Sequence, residues 1–273
     1  MNTRELKILL KQMDSNNIVD DSDIDWIIVE STGVKRSSII LGQEVSACCA
    51  DHAKNIMKKR LFGMPLAYCV GHQNFYGREF FVNSQTLIPR CETEILVNVI
   101  LKNVKSGKGL DIGTGSGVIP IALSLENPQI DMTAIDISAG ALQVAKKNAK
   151  AQKASVRFIK SNLFSNLKSE DCRYDFIVSN PPYIKTDDIP DLDAVVKNYE
   201  PLLALDGGVD GLDFYKKIIK ESPNYLNEKG KIFFELGIDE CEEVKKLLSE
   251  KFDDINIEKD LNNVARIIYA TKK

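Results

Sequence analysis

No apolar run in the 273-residue chain approaches the ~20 residues that a bilayer-crossing helix needs, which excludes a membrane-spanning helix. Metal-ligand spacing is also missing. The six cysteines (Cys48, Cys49, Cys69, Cys91, Cys172 and Cys241) form no C-x-x-C pair, and neither His52 nor His72 stands at zinc-ligand distance from a cysteine pair. No metal site is expected, and the cysteines read as reduced thiols, with Cys48 and Cys49 pointing in different directions from a helix-like stretch. Positive charge is not in excess: 36 Lys/Arg against 39 Asp/Glu leave a net charge of −3. Residues 1–85 hold ten basic and ten acidic side chains, so no basic arm serves the phosphate neutralisation that general nucleic-acid binding requires. An N-terminus carrying Asp14, Asp20, Asp21, Asp23 and Asp25 fits neither a signal peptide nor a transit peptide. A cytoplasmic protein with no membrane or direct nucleic-acid partner is expected.

What is present divides into two patterns. Leu6, Leu9, Leu10 and Met13 recur at helical spacing over Thr3 to Met13. Asp21 or Ser22 is placed to cap a second helix carrying Ile24, Trp26, Ile27 and Ile28, and Gln43 to Arg60 gives a third. Residues 1–67 therefore read as a small helical domain. Phe75 to Val82 predicts two short strands around a Gly-containing turn, and residues 68–90 read as a hairpin linker. From 91 to 273 strands and helices alternate. The strands are expected at Gly109–Ile112, Met132–Ile135, Val156–Lys160, Phe176–Ser179 and Lys231–Leu236. Helices are expected around 92–104, 117–126, 138–150, 211–227 and 239–250. Such alternation implies an open parallel sheet covered on both faces, and Ile255–Glu258 with Val264–Ala270 adds a terminal hairpin. The fold class is α/β, a mixed sheet of about seven strands.

Two segments carry chemistry. Asp111, Gly113, Thr114, Gly115, Ser116 and Gly117 lie where the first strand hands over to a helix, and the glycines allow a sharp turn and close ligand approach. The spacing is G-x-G-x-G; position 118, where a dinucleotide fingerprint needs glycine, is Val118. A carboxylate at Asp111 repels a pyrophosphate and attracts an ammonium or sulfonium, favouring S-adenosylmethionine over NAD. Nineteen residues beyond Gly117, Asp136 ends the second strand, where an acid accepts bonds from ribose hydroxyls. Ser138 is the better helix cap. Asn162, Leu163 and Phe164 follow the third strand; the apolar pair is placed to sandwich an adenine and Asn162 to bond its amine.

The second segment is Asn180-Pro181-Pro182-Tyr183, at the carboxyl end of the fourth strand and 44 residues after Asp136. Successive prolines supply carbonyls without competing N–H donors and stiffen the turn. With the Asn180 carbonyl they can accept both N–H bonds of a substrate –NH2, while Tyr183 offers a flat stacking face. An amide or aromatic amino nitrogen is a poor nucleophile, and fixed acceptors both aim it and return electron density to it.

Over nearly its whole length the chain resembles the HemK-type release factor glutamine N5-methyltransferases. The likeness runs through Gly63 to Tyr68, Gly71, Phe75 to Gly77, Leu87 to Glu94, Asp111 to Gly117, Asp136, Asn180 to Tyr183, Tyr199 to Pro201 and Phe234 to Gly237. It implies a Rossmann-like class I methyltransferase domain joined by a hairpin to an N-terminal helical domain that helps bind a release factor. It implies methyl transfer from S-adenosylmethionine to the glutamine of the release factors' Gly-Gly-Gln motif, and a monomer is expected. By matching position, the 113–117 loop, Asp136 and the stretch around Leu163 contact the cofactor together with Asn180, and Asn180 to Tyr183 hold the glutamine amide. Cys91 stands where the family usually has proline, Asn162 where aspartate is more usual, and Leu163 where some members carry tryptophan. Arg90 is expected to partner the helix-start acids Glu92 and Glu94, and Glu200 to brace the Asn-Pro-Pro-Tyr turn. A DNA adenine N6-methyltransferase also fits the turn but needs a basic cleft. A non-catalytic cofactor-binding partner does not need both segments intact. A small-molecule methyltransferase leaves the helical domain unexplained.

Overall fold

The computed structural model describes residues 1–167 and 173–273; Cys172, read above as a reduced thiol, lies outside them. The other five cysteines are free. Two compact units emerge, one of residues 1–72 with 193–199, the other of 73–192 with 200–273. The chain divides inside the hairpin, between His72 and Gln73, not on either side of a separate linker.

The first unit holds α1 (Thr3–Met13), α2 (Asp21–Thr32), α3 (Ala47–Leu61) and α4 (Leu66–Val70). Asn2 begins α1 with a reciprocal cap: its side chain accepts from Glu5 N (3.0 Å), and Glu5 Oε2 accepts from Asn2 N (2.9 Å). Asp20, one residue earlier than expected, precedes α2, and Ser46 Oγ accepts from Cys49 N (3.2 Å) to start α3 four residues later than the pattern implies. Leu6, Leu10, Ile24, Ile27, Ile28, Ala53, Ile56 and Met57 form the core. Each buried Leu or Ile stabilises by ~1.5–3 kcal/mol relative to exposure. Trp26, expected among them, faces solvent at 41% exposure.

A two-stranded sheet follows, β1 (His72–Phe75) and β2 (Arg78–Phe81). The second unit then runs α5 (Glu92–Asn103), β3 (Gly107–Ile112), α6 (Val118–Glu126), β4 (Ile130–Asp136), α7 (Ala139–Gln152), β5 (Val156–Lys160) and β6 (Tyr174–Ser179). After α8 (Ala194–Lys197), which belongs to the first unit, come α9 (Asp213–Glu221), β7 (Leu226–Glu235), α10 (Cys241–Ser249), β8 (Phe252–Lys259) and β9 (Ala265–Lys272). The seven strands lie in the order β5-β4-β3-β6-β7-β9-β8, the first five parallel and the terminal hairpin antiparallel. Alternate residues feed two cores. Ile177, Ile232 and Phe234 pack with Tyr215 of α9 and Val244 of α10, whereas Phe176, Val178 and Phe233 pack with Leu96 of α5 and Ile121 of α6. Burial on both faces explains the near-continuous apolar strands.

Expected boundaries also fail where α9 gives way to β7. The helix anticipated over 211–227 ends at Glu221, and β7 starts at Leu226 rather than Lys231. Leu226 pairs with Tyr174, and an irregularity between Tyr174 and Phe176 absorbs the extra residues of β7. Strand pairing has overridden local helical spacing.

Chain order reverses direction across the sheet between β3 and β6, which makes their carboxyl ends a topological switch point. At Gly117, first residue before α6, φ is +83° and an added Cβ would stand 3.0 Å from Ala145 Cβ of α7. Gly117→Val is therefore expected to lower stability by roughly 2–5 kcal/mol, combining left-handed strain with overpacking. A lowered urea midpoint at unchanged slope checks this; an unaltered midpoint contradicts the close α6–α7 approach.

Candidate active site

The loop after β3 turns through Gly113 (φ +75°), Gly115 (+55°) and Gly117 (+83°). Its N–H groups tie it to the end of β4: Gly113 and Thr114 donate to Ile135 O (2.9 and 3.0 Å), and Gly115 donates to Asp136 Oδ2 (2.9 Å). Asp136 Oδ1 accepts from Ser138 N (2.8 Å), while Ser138 Oγ caps α7 by accepting from Ala141 N (3.1 Å). Burial raises the Asp136 pKa despite bonds from Ser138, Gly115 and Ile137 that favour the charged form. Each carboxylate oxygen keeps a lone pair for a ligand.

A cavity of about 540 Å³ opens above this loop. Of the residues picked out by sequence, Gly113, Thr114, Gly115, Ser116, Asp136, Asn162, Leu163, Phe164, Asn180, Pro181 and Pro182 line it. Asp111, Gly117 and Tyr183 do not. Gly117 serves helix packing instead.

Asp111 is 0% exposed, and among the described residues neither of its carboxylate oxygens has a hydrogen-bond partner; nor does the buried Thr114 Oγ1. Burial pushes the Asp111 carboxyl up to about 7; Thr114 favours the charged form without reaching hydrogen-bond geometry, and Asp136 opposes it. Asp111 lies behind the loop and does not line the cavity. A buried acid lacking partners beside a ligand cavity suits a cation there, as the ammonium and sulfonium of S-adenosylmethionine require.

On the other side of the switch point Ile112 is in register with Ser179, whose Oγ donates to Ile112 O (2.7 Å). The Asn180 turn and the glycine loop therefore leave adjacent strands at the same level. Among the described residues no donor is spent on the carbonyls of Asn180, Pro181 or Pro182. Asn180 Nδ2 donates to Thr93 Oγ1 of α5 (3.3 Å). Tyr183 packs against the glycine-rich 207–211 loop and Gly237, where an added Cβ would stand 2.8 Å from its ring. Burial first, then the nearby Glu235, push its phenol up to about 12.

Several assignments need correction. Arg90 pairs with Glu200, whose other oxygen accepts from Ile88 N (3.1 Å). Glu200 thus braces the 88–90 segment rather than the Asn-Pro-Pro-Tyr turn, and Arg90 is not the partner of Glu92 or Glu94. Glu94 Oε1 instead accepts from Tyr76 N (2.6 Å). Phe164 borders the cavity but is 1% exposed, with one ring face stacked on Tyr225 (centroids 4.5 Å apart). Leu163, held at φ +49°, supplies one apolar wall. Sequence reasoning missed the other candidate, Ile137, a cavity residue 44% exposed immediately after Asp136. It also missed Ser84 to Leu87, assigned to a linker; Pro89 in a polar stretch just before α5 was the available signal.

Residues 90–198 match the family model described as methyltransferase small domain. Over 261 residues, 92% of this chain and 92% of the relative, the sequence is 38% identical to the release factor glutamine methyltransferase of Bacillus cereus. Its counterpart from Bacillus anthracis is 41% identical over the same shares of both chains. A Thermus thermophilus 16S rRNA methyltransferase, solved in complex with AdoMet and guanosine, shares the fold: TM-score 0.54, 17% identity, 74% of this chain and 50% of that one.

The state of Asp111 has a measurable consequence. Its folded pKa of about 7 exceeds the ordinary 3.8, so the folded protein holds the proton more tightly than the unfolded chain. That contribution to stability is full below about pH 4 and is lost as pH rises through about 7. In cofactor-free protein, wild type should therefore lose on the order of a few kcal/mol relative to Asp111→Asn between about pH 4.5 and 7.5, read from urea midpoints. A pH-independent difference contradicts the assignment.

Proposed function

We propose, from the premise that the chain belongs to the release factor glutamine methyltransferase family, that it methylates the side-chain amide nitrogen of the glutamine in the Gly-Gly-Gln motif of peptide chain release factors. The observation that carries this reading is the meeting of two segments at one switch point, through the Ile112–Ser179 register. The cofactor is S-adenosylmethionine, which when bound supplies an electrophilic methyl carbon on a sulfonium.

The chain's own residues do the rest. The 113–117 loop holds the cofactor's amino-acid end over its backbone, and Asp111 contributes negative potential from behind the loop. Asp136 accepts from the ribose hydroxyls with the lone pairs left by Gly115 and Ser138. Ile137 and Leu163 flank the adenine, and Asn162 lies at its edge. Asn180 Oδ1 and the carbonyl of Pro181 accept the two N–H bonds of the glutamine amide. Pro182 and the glycine-clamped Tyr183 keep the turn rigid, so little freedom is lost when the amide is seated. Acceptors aimed at an –NH2 favour the partial positive charge that develops on nitrogen as it attacks. No helix among the described residues is long and apolar enough to cross a membrane, in keeping with a soluble protein substrate.

Purified protein with radiolabelled S-adenosylmethionine is expected to label a release factor in its Gly-Gly-Gln peptide. Labelling of duplex DNA without the release factor overturns the reading. Asn180→Ala should cost ~100-fold or more in kcat while cofactor affinity stays nearly constant; near-normal turnover removes Asn180 from its role. Asp136→Ala should weaken cofactor binding by about 10–100-fold, the worth of hydrogen bonds to a charged group. Calorimetry showing unchanged affinity contradicts the ribose assignment.

A further inference from the structure

Glu235, the last residue of β7, is an acid for which the reaction has so far had no use. It is 2% exposed, and its Oε2 has no hydrogen-bond partner among the described residues. Keeping an incompletely paired carboxyl in a core is costly where an apolar residue would not be. Its neighbours are Thr93, itself buried on α5, and Asn180, and both interact with it so as to favour its charged form. Asn180 Nδ2 also donates to Thr93 Oγ1 (3.3 Å), which leaves the Thr93 hydroxyl proton free to be donated onward.

A side-chain amide has two faces of nearly identical shape, one donating and one accepting, and only its partners decide which way it turns. We propose that Glu235, directly and through Thr93, fixes the Asn180 amide with its nitrogen towards the core and its oxygen towards the substrate –NH2. This rests on the glutamine-methylating reading above, and it makes Glu235 a positioning residue. An ionised carboxylate only accepts. It draws the Thr93 hydroxyl and the Asn180 nitrogen towards itself, and Asn180 Oδ1 is left pointing away as an acceptor. A protonated Glu235 can donate, so Thr93 can then donate to Asn180 Oδ1, and a turned amide would meet the substrate –NH2 with its own –NH2.

Glu235 sits where its ionisation is finely set. Burial pushes its carboxyl up to about 7; Thr93 lowers it, Glu92 of α5 raises it, and Arg266 of β9 and Asn180 lower it. Tyr183 after β6 and Tyr215 of α9 also feel its charge. Below about pH 7 the orienting charge is lost, so turnover should fall on the acid side.

The test measures release-factor methylation from about pH 6 to 8.5, with cofactor affinity by calorimetry as the second readout and check of folding. In wild type kcat should fall on acidification through about pH 7. Glu235→Gln, of the same shape, should lower kcat ~10–100-fold at about pH 8 and remove that limb, leaving KM for the release factor and cofactor affinity within about threefold. Thr93→Val should lower kcat by a smaller factor and Thr93→Ser should restore most of it. The double variant Glu235→Gln/Thr93→Val should be no worse than Glu235→Gln, because both act on one amide. A Glu235→Gln enzyme with wild-type kcat and an intact acid limb overturns the proposal, as does a double variant whose losses multiply. A wild-type enzyme that labels no release factor overturns the functional reading and the proposal with it, so the two failures are distinct.

Discussion

The parallel pairing of β3 with β6 is the constraint on which the site depends. It puts Ile112 beside Ser179 and so brings together a loop and a turn separated by more than sixty residues of chain. A one-residue slip would do more than shift the two segments by the ~3.3 Å rise of a strand. It would also exchange the faces of β6, turning Phe176 and Val178 away from α5 and α6 towards a core built around Tyr215. Two filled cores therefore hold the register, and the Ser179 hydroxyl adds a bond to the Ile112 carbonyl where the ladder ends. Catalytic geometry here is a by-product of packing on both faces of the sheet.

That dependence explains what could be read from the chain. Alternating strands and helices, the glycine loop, Asp136 at a strand end and the proline-stiffened turn are local patterns with local causes, and each stands where expected. The terminal hairpin was equally legible, since Asn262 and Asn263 separate two β-rich runs. Boundaries set by partners were not. Leu226 begins β7 because Tyr174 is opposite it, and nothing between 221 and 230 announces that pairing apart from Pro223. The partnership of Arg90 with Glu200 was similarly hidden, since 110 residues separate them while Glu92 and Glu94 offered nearer and false choices.

Burial was the least legible property of the site. Asp111 reads in sequence as a charge presented to a ligand, yet it is wholly enclosed and its pKa is pushed up to about 7. Glu235 reads as part of a family-like Phe-Glu-Leu-Gly run with no chemistry attached, and Phe164 as an open adenine wall although it is 1% exposed and one ring face is taken by Tyr225. In each case the residue type is visible but its dielectric surroundings are not. Those surroundings decide whether a carboxyl acts as a charge, a proton store or a hydrogen-bond anchor. Ile137 is the converse: an ordinary apolar residue that becomes informative only once it is found exposed inside a cavity.

Three acids around the two segments share this state, for Asp111, Glu235 and Glu240 are all pushed up to about 7 by burial. A fold selected for stability alone would replace them, because apolar residues of similar size are tolerated better in a core. Their positions differ in an instructive way. Asp111 stands behind the glycine loop; Glu235 stands behind Asn180, the amide for which we propose the substrate-binding role. Glu240 accepts from Gly237 N (2.9 Å) and Tyr215 OH (3.2 Å), beneath the loop against which Tyr183 is clamped. None of the three lines the cavity, and in such enclosed surroundings exclusion of water strengthens a charge's field and fixed neighbours keep its direction constant. Buried acids are thus arranged in two layers: Asp136 lines the cavity itself, while Asp111, Glu235 and Glu240 stand behind that lining, towards the core.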